Sequence, residues 1–284
     1  MDRLTQLSRD WHLTPVSQIA SSPAASVHKV LQKDGRYAAL KIFTPAGQRS
    51  EGRGADLLKA WDGNGAVLLL RSTPDAQLLD WLPGPTLGDL ARGGQDETAT
   101  TILAQSAQKL WSKGPAQSLD MPPIDHWFAA LFALDLTPLP KDHRHAMEQA
   151  SIAARDLLAQ STPRIVLHGD LHHDNILQTP NGWTVIDPHG VSAPAEAEFS
   201  NAFRNPVNAA KWVTDPARPW RMARGLQAVT ALDPLTLLTW AAARTALSMA
   251  WQMQDGAVDQ VDIALLSRLL KPISPLPSGP IAPR

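Results

Sequence analysis

The stretch LHGDLHHDNIL, residues 167–177, places three histidines, two aspartates and one asparagine between apolar ends. His168 and His172 lie four residues apart, so on a helix they would share one face and, with the neighbouring carboxylates, could form a metal site. The same polar residues could instead hydrogen-bond the backbone of a loop that follows a strand. A third interpretation is a loop that holds one base and one metal ligand for phosphoryl transfer. The stretch alone leaves all three open.

The next segment, GWTVIDPHG at residues 182–190, favours the third interpretation. An apolar strand ends there in Asp187, twelve residues after Asn175, and a turn between the two segments would bring both to one edge of a hairpin. Asp170, Asn175 and Asp187 are therefore predicted to lie within reach of a common point. Mg²⁺ prefers oxygen ligands and is commonly held by one or two protein oxygens together with substrate phosphates. Asn175 and Asp187 are predicted to supply those oxygens, which leaves Asp170 to deprotonate a hydroxyl.

The composition is that of an ordinary globular protein. The chain has 284 residues, of which 44% are hydrophobic and 19% charged, and its formal net charge is −1. That balance lacks the massed basic residues that bind nucleic acid or anionic membranes. There is no cysteine, and no apolar run approaches the ~20 residues that span a bilayer. Together with an opening that lacks the signal-peptide pattern, this predicts a cytoplasmic protein that acts on a small molecule, with its oligomeric state left open.

The pattern along the chain changes near a proline-rich break and predicts an α+β protein with two domains. Residues 1–82 contain two predicted strand pairs, the first around a turn at Asp34-Gly35, and one helix between the pairs. Residues 83–284 are predicted to be mostly helical and to contain the loop described above. The tail of this second domain, residues 271–284, is too rich in proline for regular structure.

The spacing HGDLHxxN, followed by an aspartate at a strand end, resembles the catalytic loop of the kinase-like aminoglycoside phosphotransferase family. The chain is also similar, over roughly residues 10–265, to the branch that contains streptomycin 6-kinase and hydroxyurea phosphotransferase. The segments that carry this similarity are SSPAASVHKV, AALKI, KAWDGNGAVLLL, IDPHG, AFRNP and ALSMAWQMQDG. The resemblance implies a bilobal protein-kinase-like fold, with a small β-rich N-lobe and a larger α-rich C-lobe. It also implies ATP- and Mg²⁺-dependent phosphate transfer to a hydroxyl of a small molecule, of the type that gives resistance to aminoglycosides or hydroxyurea.

The resemblance further implies a nucleotide site in the N-lobe. Lys41 in AALK is expected on the same side of a strand as Ala39, because strand side chains alternate. Lys41 would then contact the α- and β-phosphates, and Ala39 would lie beside adenine. Glu51, ten residues after Lys41, is expected to open the predicted helix and to orient the lysine. The expected adenine-binding residues lie at the break between the domains: Asp80, Trp81 and Leu82.

The expected phosphate loop, ASSPAASV at residues 20–27, departs from the kinase pattern because it has no glycine. Serine hydroxyls and amides are expected to contact phosphate in its place, from Ser21, Ser22 and Ser26. The missing glycine motivates an alternative, a nucleotide-binding protein without catalysis, and the histidine cluster motivates a second, a metal-dependent hydrolase. Both alternatives are opposed by the joint presence of Lys41, Glu51, Asp170, Asn175 and Asp187.

Two further departures concern the acceptor. His189 stands where the family often has lysine, and Glu198 is expected to replace an aspartate. Residues 191–284, where the family builds its acceptor pocket, hold seven acidic and nine basic residues. Aminoglycosides carry several positive charges, and a site for them is expected to concentrate carboxylates. We therefore expect a small neutral or weakly charged hydroxylated compound to be a better acceptor than a multiply charged aminoglycoside.

Overall fold

The computed structural model of the protein describes residues 2–112, 114–254, 256 and 258–271, with the side chains of residues 50 and 51 excepted. Its first part contains five strands: β1 Thr14–Ser21, β2 Ala25–Leu31, β3 Tyr37–Phe43, β4 Leu69–Thr73 and β5 Ala76–Asp80. They form one antiparallel sheet in the order β1-β2-β3-β5-β4. Both predicted strand pairs are present, and Gly35 in the β2–β3 turn has φ +83°, which glycine adopts at low cost.

Three helices accompany this sheet, whereas the sequence predicted one. They are α1 Arg3–Trp11, α2 Pro45–Glu51 and α3 Gly54–Trp61. The prediction that Glu51 opens a helix is wrong, because Glu51 is the last residue of α2. The helix begins earlier since Thr44 caps it, accepting a hydrogen bond from Gly47 N, and Pro45 suits the first helical turn.

The rest of the described chain is mostly helical. Its helices are α4 Leu87–Arg92, α5 Asp96–Trp111, α6 Gly114–Gln117, α7 Asp125–Phe132, α8 Lys141–Ala159, α9 Ala210–Val213, α10 Arg218–Thr230, α11 Pro234–Gln254 and α12 Gln260–Leu269. Its strands are β6 Ile165–Leu167, β7 Ile176–Thr179, β8 Gly182–Val185 and β9 Val191–Ala193. β6 pairs with β9 and β7 with β8. Of the predicted proline-rich tail, residues 272–284 lie outside the described residues.

The helix α11 lies at the centre of the larger hydrophobic core. Its residues are buried almost continuously from Leu237 to Ala250, and α8, α10 and α12 pack against it. Trp61 of α3 belongs to the same core, so this helix is packed with the second part of the chain. The sheet has a smaller core of its own, into which α1 inserts Leu7. No helix within the described ranges is long and apolar enough to cross a membrane.

Backbone contacts join the sheet to the β7–β8 hairpin. Val67 N donates to Val185 O at 2.8 Å, and Val185 N donates to Gly65 O at 2.9 Å. Gly84 lies so close to the hairpin that a Cβ atom there would be 2.0 Å from Gln178 O. These contacts fix the hairpin, and the polar residues at its end, beside the sheet.

Candidate active site

The loop after β6 and the β7–β8 hairpin bring three polar residues close together in the fold. Asn175 ends a short 3-10 helix, and its carbonyl oxygen accepts a hydrogen bond from Ile186 N at 2.9 Å. Asn175 and Asp187 are therefore close at one end of the hairpin. Asn175 Nδ2 donates to Asp170 O at 2.9 Å and lies 3.3 Å from Asp170 Oδ2. The structure thus assembles Asp170, Asn175 and Asp187, and the roles assigned to them from the sequence stay predictions.

Asp170 is held in its ionised form. Its Oδ1 accepts a hydrogen bond from Asn201 Nδ2 at 2.7 Å, and its Oδ2 lies 3.5 Å from His172 Nε2 and 3.9 Å from His189 Nε2. Burial by itself raises the pKa of Asp170, but His172, His189 and Arg244 outweigh burial and hold the pKa well below its usual range. The group is a carboxylate at neutral pH, which is the form that accepts a proton from a hydroxyl.

Asn201 is itself fixed by a line of hydrogen bonds. Arg204 Nη1 donates to Asn201 Oδ1 at 2.9 Å, and the Arg204 guanidinium pairs with the buried Asp262 carboxylate at 2.8 and 2.7 Å. Gln252 Nε2 also donates to Asp262, at 2.7 Å. Asn201 is not recognisable from the sequence, because it is separated from Asp170 by 31 residues and nothing in its own segment marks it as a partner.

Asn201→Ala is expected to lower kcat by about 10- to 100-fold through loss of Asp170 orientation, while the Kd for ATP changes little. Because a hydrogen bond to the charged form lowers a pKa, its loss should raise the pKa of Asp170 and move the acidic limb of the kcat profile to higher pH. A pH–rate series on the wild type and the variant measures both effects. Asn181→Ala, in the exposed β7–β8 turn, is the control. An unmoved acidic limb would contradict a positioning role for Asn201.

His168 fixes the loop and is not free to bind a metal. Its Nδ1 accepts from Asp170 N at 3.1 Å, so its Nε2 carries the proton and donates to Ile186 O at 2.8 Å. His172 Nδ1 likewise accepts from Asp174 N at 3.2 Å. The described part of the chain contains no group of three or more His, Cys, Asp or Glu side chains that could hold a metal ion. The histidine cage considered from the sequence is therefore not formed by these residues.

Burial lowers the pKa of His168 from its ordinary 6.5 to about 4. The unfolded chain takes up a proton below pH 6.5 and the folded chain does not until about pH 4, so this group removes stability as pH falls through that interval. Between pH 7 and pH 5 we expect the low pKa of His168 to decrease the free energy of unfolding by about 2 kcal/mol. His168→Gln should flatten this dependence in urea denaturation, and His145→Gln, at an exposed position of α8, should not. Equal slopes for wild type and His168→Gln would contradict the expectation.

Glu198 supports the same loop from the other side. Its carboxylate accepts hydrogen bonds from His168 N and Gly169 N, both at 3.0 Å, and from Trp111 Nε1 at 3.1 Å. Burial raises the pKa of Glu198 in spite of these three donors. Glu198, which was expected to replace an aspartate, thus accepts hydrogen bonds from the two backbone N–H groups that directly precede Asp170.

An apolar pocket of about 190 Å³ lies between the sheet and the β7–β8 hairpin. Val27 and Leu79 line it from the sheet, and Leu177 and Ile186 line it from the hairpin region. Five residues predicted to bind nucleotide also line it: Ala39, Lys41, Asp80, Trp81 and Leu82. The pocket is therefore bounded by the segment at the domain break, and the binding of adenine there stays a prediction.

Lys41 connects this pocket to the polar cluster. Its side chain is only 7% exposed, and its ammonium forms an ion pair with Asp187. Asp187 has a left-handed backbone, with φ 66°, which aspartate tolerates better than most residues. The side chain of Glu51 lies outside the described residues, so its expected contact with Lys41 stays a prediction.

The predicted phosphate-binding serines do not line this pocket, and their contact with phosphate stays a prediction. Ser21, Ser22 and Ser26 are not among its lining residues. Ser22 Oγ accepts hydrogen bonds from the N–H groups of residues 24 and 25, at 3.2 and 3.1 Å, and closes the turn between β1 and β2. Thr44 Oγ1 donates to Pro23 O at 2.8 Å and ties this turn to α2. A turn closed by side-chain hydrogen bonds therefore lies where kinases have a glycine-rich loop.

Asn175 and Asp187 fit the ligand preference of Mg²⁺. Asn175 Oδ1 accepts no hydrogen bond from the described residues, while Asn175 Nδ2 is engaged by Asp170. The Asp187 carboxylate offers a second oxygen centre, with a side chain that is 40% exposed. One amide oxygen and one carboxylate beside the apolar pocket make a donor set that suits Mg²⁺ bound together with phosphate oxygens.

Solved structures of small-molecule kinases share this fold. An amicoumacin kinase in complex with AMP-PNP aligns with a TM-score of 0.64 at 13% identity, over 95% of this chain and 92% of that one. Aminoglycoside phosphotransferase APH(4)-Ia, in a ternary complex with ADP and hygromycin B, aligns with a TM-score of 0.62 at 14% identity, over 95% and 97%. The predicted bilobal, protein-kinase-like fold is confirmed.

The chain belongs to the aminoglycoside/hydroxyurea antibiotic resistance kinase family, which matches residues 10–256. It is 34% identical over 279 residues to streptomycin 3''-kinase from Klebsiella pneumoniae, covering 92% of this chain and 98% of that protein. It is 26% identical over 282 residues to hydroxyurea phosphotransferase from Kitasatospora aureofaciens, covering 94% and 78%. The predicted family and the predicted enzyme class, a phosphotransferase that acts on a hydroxyl, are confirmed.

Proposed function

We propose that this protein transfers the γ-phosphate of ATP to a hydroxyl of a small molecule, as an antibiotic-resistance kinase. The observation that carries the proposal is the assembly of Asp170, Asn175 and Asp187 beside an apolar pocket, with Lys41 paired to Asp187. The names of the relatives, streptomycin kinase and hydroxyurea phosphotransferase, support an acceptor of the antibiotic type.

The nucleotide would lie in the pocket between the two lobes. Adenine would contact the apolar lining and the backbone of residues 80–82, and the Lys41 ammonium would neutralise the phosphates. Asn175 and Asp187 would hold Mg²⁺, which supplies further charge neutralisation on the phosphates when bound. Phosphoryl transfer needs mainly positioning and charge stabilisation from the protein, and these residues provide both.

Asp170 would act on the acceptor. Its carboxylate, held by Asn201 at 2.7 Å, accepts the hydroxyl proton while the acceptor oxygen bonds to the γ-phosphorus. The bond from the γ-phosphorus to the oxygen that bridges it to the β-phosphate breaks, and ADP leaves. The proton is then shared with solvent as the phosphate ester departs.

We assign nucleotide binding to residues 1–82. The catalytic loop, the metal ligands and the acceptor-binding helices would belong to residues 83–284. The reaction would take place in the cytoplasm on a small-molecule acceptor. A nucleic-acid or membrane partner is not expected, since the net charge of −1 lacks the basic excess that binds such surfaces.

The test is a transfer screen with ATP labelled in the γ-phosphate. The panel contains hydroxylated metabolites and antibiotics, including streptomycin and hydroxyurea, and each compound is incubated with the protein and Mg²⁺. We expect the label to pass to at least one compound and EDTA to prevent the transfer. Binding of ATP without transfer to any compound would support the alternative of a nucleotide-binding protein without catalysis.

A further inference from the structure

Asp262, in the first turn of α12, is a buried carboxylate that lies far along the chain from the loop that carries Asp170. Only 2% of the residue is exposed. Its two oxygens accept hydrogen bonds from the Arg204 guanidinium, Oδ1 from Nε at 2.8 Å and Oδ2 from Nη2 at 2.7 Å. Because both bonds lie in the plane of the guanidinium, this pairing holds the arginine in one orientation.

The third hydrogen bond of Arg204 decides which way the Asn201 amide points. Nη1 donates to Asn201 Oδ1 at 2.9 Å. A guanidinium has donors only, so the amide oxygen must face Arg204 and the amide NH2 group must face Asp170. Asn201 Nδ2 accordingly donates to Asp170 Oδ1 at 2.7 Å. The opposite orientation would place an amide oxygen against a carboxylate, and two acceptors repel each other.

Helix α11 holds Asp262 from the other side. Gln252 Nε2 donates to Asp262 Oδ2 at 2.7 Å, and Gln252 Oε1 accepts a hydrogen bond from Asp259 N at 2.8 Å. Asp259 is the N-cap of α12, and its carboxylate accepts from Val261 N at 2.8 Å. One glutamine therefore fixes both the start of α12 and the carboxylate in its first turn. A continuous line of hydrogen bonds thus joins α11 and α12 to the proposed base.

A second buried arginine shows what is special about Arg204. Arg218 forms two hydrogen bonds to Asp96, at 2.8 and 2.9 Å, but its other donors meet the backbone carbonyls of residues 203 and 205. That pair fixes the main chain. Arg204 instead directs its third hydrogen bond to a side chain that contacts Asp170, so its own orientation bears on the reacting group.

We propose that Asp262 is a positioning residue for phosphate transfer: through Arg204 and Asn201 it fixes the orientation of the proposed base. The inference rests on the proposed phosphotransfer and adds a residue of α12 to it. Without Asp262, Arg204 would lose two of its three hydrogen bonds, and the Asn201 amide would no longer be held in one orientation. The Asp170 carboxylate would then point away from the acceptor hydroxyl in part of the molecules, which lowers kcat and leaves substrate binding in place.

A double-mutant cycle of Asp262→Ala and Asn201→Ala tests this route in the γ-phosphate transfer assay, with streptomycin or the best acceptor of the screen. We expect Asp262→Ala to lower kcat by about 10-fold and to leave the KM values for ATP and the acceptor within about twofold of the wild type. The double variant should be no slower than Asn201→Ala alone, because Asp262 acts through Asn201. Asp262→Asn, which keeps one acceptor oxygen for Arg204, should recover part of the loss.

Asp75→Ala is the matched control, because Asp75 also forms two hydrogen bonds to an arginine, Arg3, both at 2.6 Å, but lies in the other lobe. It should lower the melting temperature and leave kcat unchanged. Wild-type kcat in folded Asp262→Ala would overturn the inference and leave the proposed phosphotransfer intact. A double variant slowed by the product of the two single effects would do the same. If a thermal melt shows that Asp262→Ala does not fold, the cycle with Asp262→Asn decides between these outcomes.

The Asn201 side-chain amide gives a second readout that needs no acceptor. In ¹H–¹⁵N spectra of labelled protein, its NH2 signals are identified by their loss in Asn201→Ala. We expect Asp262→Ala to shift or broaden these signals and Asp75→Ala to leave them in place. Unchanged signals in Asp262→Ala would overturn the inference. Absence of transfer by the wild type to the whole panel would instead overturn the proposed function, whatever the amide signals show.

Discussion

Asp170→Asn is expected to lower kcat for phosphate transfer by about 10²-fold or more and to leave the Kd for ATP nearly unchanged. The carboxylate is already ionised, because His172, His189 and Arg244 hold its pKa well below the usual range against burial. Asparagine keeps the shape of the side chain and its contact with Asn201, but it cannot accept the hydroxyl proton. Steady-state transfer rates and calorimetric titration with ATP measure the two quantities separately.

Asp34→Asn provides a control for the same chemical change, since Asp34 lies at the exposed β2–β3 turn and pairs only with Arg36 among the described residues. It should leave kcat and the Kd for ATP as they are in the wild type. Wild-type transfer by Asp170→Asn would remove Asp170 from the role of base. A parallel loss of ATP binding would show that the substitution disturbs the nucleotide site as well.

Asp187→Ala is expected to weaken Mg²⁺-dependent binding of ATP by about 10²-fold or more, since even residues that only support a metal ligand contribute 10- to 100-fold. The substitution removes a metal-binding carboxylate and also the ion-pair partner of Lys41. Titration of ATP at fixed Mg²⁺, and again in EDTA, measures the metal-dependent part of the affinity. In the wild type, EDTA should abolish transfer and added Mg²⁺ should restore it.

Asp174→Ala is the control for Asp187→Ala. It removes an acidic side chain near the same loop without removing a proposed Mg²⁺ ligand. Asp174 pairs with Arg92 at 2.9 Å and accepts a hydrogen bond from Val207 N, so it serves the fold and not the nucleotide. The variant should be less stable yet keep Mg²⁺-dependent ATP binding when folded. Restoration of wild-type activity by Zn²⁺ and not by Mg²⁺ would contradict the assignment of Asn175 and Asp187 and favour the hydrolase interpretation.

The polar cluster could be predicted from the sequence because local structure builds it. Asn175 and Asp187 are twelve residues apart and flank a hairpin, so strand pairing alone brings them together, and the adjoining loop adds Asp170. The alternation of side chains along β3 similarly places Ala39 and Lys41 on one side of the sheet. In each case, short-range geometry was enough.

The residues that sequence analysis missed depend on tertiary packing. Asn201 reaches Asp170 across 31 residues, and its orientation comes from Arg204 and Asp262 on different segments. Arg244 reads as an ordinary helix arginine in the sequence, and only the packing of α11 shows that its guanidinium is buried, with no hydrogen bond from Nε or Nη1 to the described residues. Helix α1 was not predicted from the sequence, because only Leu7 of its nine residues is buried and the helix therefore shows little apolar periodicity. These contacts depend on which distant segments pack together, and local sequence patterns carry no information about that packing.

Transfer of phosphate to the acceptor can be followed by ³¹P NMR of a reaction that contains the wild-type protein, ATP, Mg²⁺ and the best acceptor of the screen. We expect the γ-phosphate signal of ATP to be replaced by one phosphate-ester signal and by ADP in equal amounts, and Asp170→Asn to suppress both. Release of ADP with inorganic phosphate in place of the ester would contradict phosphate transfer to the acceptor, because water and not the acceptor hydroxyl would then receive the phosphoryl group.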